Sequence, residues 1–198
     1  RRSSDLLTAR GCPFNCPYCA SGFLDPVLVT RSPSGVADEI THWHHNYGIN
    51  DFVFYDDALL INADNHFIPL AEKICATLPG LRLHTPNALH IREINQTTAH
   101  WMRQCGFETI RLGLETATFT DREKFDNKVT RSEFERAVAC LKAAGFPSRQ
   151  IGAYVLAGLP GQSLDEVNTS LQFVARSGIT PIPAYYTPIP HTALWKDA

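Results

Sequence analysis

No run of apolar residues in this 198-residue chain exceeds a few positions, so no segment is expected to span a bilayer. No basic cluster stands out. The 18 Lys and Arg are nearly matched by 20 Asp and Glu, net charge -2, and nothing suggests a nucleic-acid footprint. A secretory signal is also missing, because residues 1–10 are polar and charged, so the cytoplasm is the expected compartment. Internal repeats and low-complexity segments do not occur. The chain begins inside what reads as a strand, DLLTAR, and is expected to be a piece of a longer protein.

What is present is an alternation of two periods. Strand patterns occur at 5–10, 51–55, 81–85, 108–114, 150–157 and 179–186, with amphipathic helical patterns between them at 33–47, 65–78, 96–105, 131–144 and 164–177. Helix punctuation supports the boundaries. Pro33 opens the first pattern and Gly48 follows it, Asn95 is placed to cap the third, and Thr130/Glu133 and Ser163/Glu166 have capping-box spacing. Alternating β and α segments predict a parallel sheet with right-handed crossovers. The pattern alone leaves an open doubly wound sheet and a barrel or partial barrel both possible. A hydrophobic content of 44% and this length suit one sizeable core.

Residues 11–32 show no helical period and read as a long loop after the first strand. That loop carries RGCPFNCPYCAS, with Cys12, Cys16 and Cys19 at Cys-x3-Cys-x2-Cys spacing. Thiolates are soft ligands, suited to iron–sulfur clusters and zinc. Three thiolates can hold three corners of a cubane cluster, leaving a fourth iron for a small molecule. Zinc held by the three cysteines and one of eight histidines is the alternative, although a second Cys-x2-Cys knuckle is missing. A redox pair at Cys16 and Cys19 would leave Cys12 unexplained, and structural cysteines suit a polar, proline-containing loop poorly. Cys75, Cys105 and Cys140 lie in helical patterns among apolar neighbours and read as inert core residues. The HWHH run, His42 to His45, lies on one helix whose adjacent side chains diverge, so it reads as a solvated face.

Position adds a second line of argument. In βα barrels, reactive groups sit at the C-terminal ends of strands. Cys12, the Asp56–Asp57 pair, Asn87, Glu115, Gly158–Gln162 and Tyr186–His191 each follow or end a strand pattern. Glu115 shares strand parity with Arg111 and Gly113, so an Arg111–Glu115 ion pair is the structural alternative to a ligand-binding carboxylate.

The cysteine motif, with Tyr18 just before its last cysteine, resembles the signature of the radical S-adenosylmethionine (radical SAM) superfamily. In order, FVFYDDAL, LHTPNALHIREI, CGFETIRLGLETA, YVLAGLPGQSLDEV and YYTPIPHTALW resemble its strand-end motifs, most of all in the branch whose members often carry a cobalamin-binding domain. The resemblance covers nearly the whole chain, 1–198. It implies an enzyme core with a partial (β/α)6 TIM-type barrel of parallel strands. It also implies a 4Fe-4S cluster on Cys12, Cys16 and Cys19, with S-adenosylmethionine chelating the fourth iron. Reductive cleavage would give a 5′-deoxyadenosyl radical that abstracts hydrogen from an unknown substrate. Tyr18, Asp56, Asp57, Glu115, Gly158 and Leu159 are the implied cofactor contacts. An electron donor such as flavodoxin or ferredoxin is implied, and cobalamin would need a domain outside these residues. Two departures from the family pattern stand out: Tyr-Asp-Asp (55–57) replaces the usual Gly-Gly-Glu, and His191, whose role is left open, replaces a usual glycine. A cobalamin-dependent methyltransferase and a zinc-stabilised non-catalytic domain are the remaining alternatives.

Overall fold

The computed structural model describes residues 3–119, 126 and 128–197. Six strands form one parallel sheet: β1 (Ser3–Leu6), β4 (Asp51–Phe54), β5 (Arg82–His84), β6 (Phe107–Glu115), β7 (Ile151–Ala157) and β8 (Thr180–Tyr185). Their spatial order is their sequence order. A doubly wound sheet reverses its order at a switch point. A monotonic order with right-handed crossovers keeps the helices on one face and curls the sheet toward a barrel. β1 and β8 are its two edges, so the barrel is partial. This settles the ambiguity left by the alternation.

Five helices connect these strands: α2 (Pro33–Tyr47), α3 (Phe67–Thr77), α4 (Gln96–Gln104), α5 (Arg131–Ala143) and α6 (Leu164–Arg176). Their ends follow the sequence signals. Ser32 caps α2 through Gly35 N–H, and Gly48 closes it with φ 65°. Full capping boxes form at Asn95/Thr98, Thr130/Glu133 and Ser163/Glu166. The core lies between helices and sheet, with Phe52, Phe54, Leu83, Phe107, Ile110 and Leu112 from the strands fully buried against Ile40, Leu70, Ile74 and Phe134.

The first strand is shorter than its pattern suggested. It leaves the sheet at Leu6, and Ala9–Arg10 (β2) instead pairs antiparallel with Val29–Thr30 (β3). The cause is Asp56, whose Oδ1 accepts hydrogen bonds from Thr8 N–H at 2.9 Å, Ala9 N–H at 2.6 Å and Thr8 Oγ1 at 2.6 Å. Those amides are spent on a side chain rather than on a ladder. The stretch 11–32 is therefore a tied loop with its own short helix, α1 (Ser21–Leu24). At its start, Gly11 has φ 84° and lies against the carbonyls of Asp25 and Val27, where a Cβ would come within 2.6 Å of the Val27 oxygen. Only glycine fits there.

Candidate functional site

Because every strand pair of the six-stranded sheet is parallel, all six C-terminal ends face one way, and a cavity of about 430 Å³ opens there. Cys12, Cys16 and Cys19 line it from the loop after β1. Asp57 comes from the loop after β4, Asn87 and His90 from that after β5, Glu115 from the end of β6, and Lys128 from the segment beyond. Tyr18 and Tyr154 complete the wall.

All three thiols are free. A turn from Cys16 C=O to Cys19 N–H (3.1 Å) sets the last two on one side, and the Cys19 thiol donates to Ser21 Oγ (3.2 Å). Ser21 Oγ in turn donates to Asp57 Oδ2 at 2.9 Å, fixing the second carboxylate at the cavity wall. Burial pushes the Cys12 and Cys16 thiols up, against the opposing pull of the Lys128 ammonium. Displacement of those protons by a thiophilic metal is the chemistry such a donor set is suited to. Among the described residues, no three His, Cys, Asp or Glu side chains converge tightly enough to hold a single ion. Three thiols lining one cavity suit an iron–sulfur cluster.

In the same cavity, Glu115 and Lys128 form a buried pair, Nζ to Oε1 3.3 Å, each side chain 8% exposed. Burial alone would lower the Lys128 pKa, but the Glu115 carboxylate and Cys16 outweigh it and hold the ammonium above its ordinary range. Glu115 has φ 66°, a left-handed conformation that non-glycine residues seldom adopt. It follows a register shift between Gly113 and Glu115. The Arg111–Glu115 ion pair, the structural alternative for this carboxylate, does not form: Arg111 Nη1 donates to the carbonyls of Ile110 (2.9 Å) and Gln150 (3.3 Å). Gly113 leaves the space in which the pair sits, since a Cβ there would lie 2.9 Å from Lys128 Nζ and 3.0 Å from Glu115 Oε1.

His90 was not among the sequence candidates. Its Nε2 lies 3.3 Å from Cys12 Sγ and its ring packs 4.3 Å from that of Phe14. Burial, then the neighbouring Lys128 charge, pull its pKa down to about 3, so the ring is neutral at pH 7. Tyr18 donates to Asp126 Oδ2 at 3.3 Å, and its burial raises the phenol pKa far above the ordinary value.

Of the sequence candidates, the structure brings Cys12, Cys16, Cys19, Tyr18, Asp57 and Glu115 together. Three others do not line this cavity. Asp56 is 4% exposed, with its Oδ1 committed to Thr8 and Ala9. Gly158 and Leu159 lie outside the cavity, and both their N–H groups donate to Gln162 Oε1, at 2.8 and 3.2 Å. His191 lies at the rim, stacked on Phe23 with ring centroids 3.9 Å apart.

Fold and site together define a partial βα barrel with a thiol-lined mouth. Comparison with known proteins names the family: residues 6–174 match the description of the radical SAM superfamily, and the chain belongs to it. A Pyrococcus horikoshii protein described as an uncharacterized methyltransferase is 27% identical over 195 residues, which is 98% of this chain and 41% of that protein. The anaerobic magnesium-protoporphyrin IX monomethyl ester cyclase of Cereibacter sphaeroides is 26% identical over 96% of this chain and 31% of its own length. Among solved structures, the radical S-adenosylmethionine methyltransferase TsrM of Kitasatospora setae, with cobalamin and a [4Fe-4S] cluster bound, aligns with a TM-score of 0.79 at 19% identity. That alignment covers 97% of this chain and 36% of TsrM. Coproporphyrinogen III oxidase of Escherichia coli aligns at 0.72 with 16% identity, over 100% of this chain and 47% of that one. The chain thus spans under half the length of these relatives, and the structural likenesses establish the TIM-barrel-type fold.

Proposed function

We propose that this chain is the catalytic core of a radical SAM enzyme, with Cys12, Cys16 and Cys19 as the three protein ligands of a 4Fe-4S cluster. Bound there, the cluster and S-adenosylmethionine supply a 5′-deoxyadenosyl radical for hydrogen abstraction from a substrate. The observation that carries this reading is the gathering of three free thiols, Asp57 and the Glu115–Lys128 pair around one cavity at the strand ends. In this reading Asp57 receives the ammonium of the methionyl group, Glu115 the ribose hydroxyls, and Tyr18 covers the ligand; their shared lining of the cavity supports these roles. Asp56, Gly158 and Leu159 act through the loops they shape. A one-electron donor of the flavodoxin or ferredoxin kind, in the cytoplasm, fits the same chemistry.

A second reading, methyl transfer with cobalamin bound by residues outside this chain, is supported by the methyltransferase descriptions of several relatives. Anaerobic reconstitution with iron and sulfide separates a core of this kind from a zinc domain. About four irons per chain are expected. Cys16→Ala should abolish loading and Cys140→Ala should leave it intact; equal loss from both variants would overturn the ligand assignment.

A further inference from the structure

At the opposite end of the barrel, where β5 and β6 begin, a cavity of about 300 Å³ is lined by Cys75, Leu78, Leu81, Arg103, Cys105 and Gly106. Cys75 belongs to α3, and Cys105 follows directly on α4. Their Sγ atoms are 2.7 Å apart. Both thiols are free and adjacent to each other. The residues are 30 positions apart, so the contact joins two helices that the sequence does not relate. Cys105 is 5% exposed and its thiol is also 3.3 Å from the Ala71 carbonyl, whereas Cys75 is partly exposed.

We propose that Cys75 and Cys105 form a peroxide-oxidisable dithiol, a modification site separate from the cysteines of the barrel mouth. Cys75, which is reachable from the cavity, is the attacking thiol. Its sulfur takes one oxygen of hydrogen peroxide, the O–O bond breaks, and water leaves, giving a sulfenic acid. Cys105 then attacks that sulfur. The S–O bond breaks, the S–S bond forms, and the Cys105 proton leaves with the hydroxyl as a second water. Two thiols lose two electrons and one hydrogen peroxide becomes two waters. Burial keeps the Cys105 thiol protonated, which suits the resolving role and not the attacking one. The product staples α3 to the turn between α4 and β6.

The test treats the reduced full-length protein with hydrogen peroxide, caps the remaining thiols by alkylation, and maps peptides without reduction. A linked Cys75–Cys105 peptide is expected, with Cys140 alkylated. Cys105→Ser should leave Cys75 trappable as a sulfenic acid by a 1,3-dione. After the same treatment, wild type should melt roughly 5–15 °C above Cys75→Ser, as expected for a bridge closing a loop of this length, and dithiothreitol should remove the difference. Alkylation of Cys75 and Cys105 to the same extent as Cys140 would overturn the proposal, and so would linkage of Cys75 chiefly to Cys12, Cys16 or Cys19.

Discussion

Removing one member of the Glu115–Lys128 pair should cost far more than removing both. At 3.3 Å and an effective dielectric of about 20, the attraction between the two charges is about 5 kcal/mol before desolvation. Desolvating two ions costs several kcal/mol each, so the net contribution of the pair is small. Its one-sided loss is another matter. Lys128→Met strands a buried carboxylate on a residue already held at φ 66°, and Glu115→Gln leaves a buried ammonium facing an amide. Losses of about 3–5 kcal/mol are expected for such single changes. For a chain of this length, that lowers the melting temperature by roughly 6–20 °C. The double variant Glu115→Gln/Lys128→Met strands no charge and should recover most of the loss. The assay is a double-mutant cycle by urea unfolding at pH 7. Losses that simply add would refute the claim that the two charges depend on each other. Sign fixes the pH range: the folded pKa of Lys128 lies above its unfolded value. The contribution is therefore fully present below about pH 10.5 and is lost as pH rises through the folded value.

Asp56→Ala should cost about 2–6 kcal/mol, because it leaves the Thr8 and Ala9 N–H groups unpaired, whereas Asp56→Asn keeps the Oδ1 acceptor; equal losses in urea unfolding would contradict the role of clamp. Gly11→Ala forces a Cβ against the Val27 and Asp25 carbonyls and should reduce iron loading well below wild type while the far-ultraviolet circular dichroism is kept, so full loading would refute the close approach. Asp51 is held below the usual carboxylate range, chiefly by its hydrogen bonds from Arg82 (Nε to Oδ1 2.7 Å). Its stabilisation is present above about pH 4 and lost as pH falls through the folded pKa, so the stability gap between wild type and Asp51→Asn should shrink in acid; a gap that does not change between pH 6 and pH 3 would exclude this.

The sheet and helices were legible because their periods and caps are local. Thr130/Glu133 and Ser163/Glu166 sit three residues apart, and one turn of helix decides whether such a box closes. What the sequence did not show are meetings between distant residues. Lys128 is 13 residues from Glu115, and no periodic pattern links them. His90 lies in a loop 78 residues from Cys12. Strand parity put Arg111 with Glu115, but parity holds only while the ladder is regular, and the register shift at Gly113 breaks it. Adjacent acids read as equivalent in sequence, yet beyond the end of β4 Asp56 turns under the cysteine loop and Asp57 toward the cavity.

Among the described residues no ladder joins the two edges of the partial barrel, yet the two ends of the fold meet at the mouth. The segment after β8 returns to the cysteine loop, where Leu194 N–H donates to the Pro17 carbonyl at 3.0 Å and His191 stacks on Phe23 of α1. Pro17 lies between Cys16 and Cys19, so this contact acts on the loop that carries the thiols. Asp56 holds the loop at its root and Gly11 lets it turn; the chain after β8 holds it at its tip. A loop that must present three side chains to one cluster needs restraint at more than one point, because each free backbone residue costs about 1–2 kcal/mol to order. Restraint from β4, from the chain after β8 and from the loop itself would, under the proposed function, set the thiols before iron binds. Gly11→Ala and Asp56→Ala therefore test the same idea from two sides: each should weaken iron loading without touching a ligand.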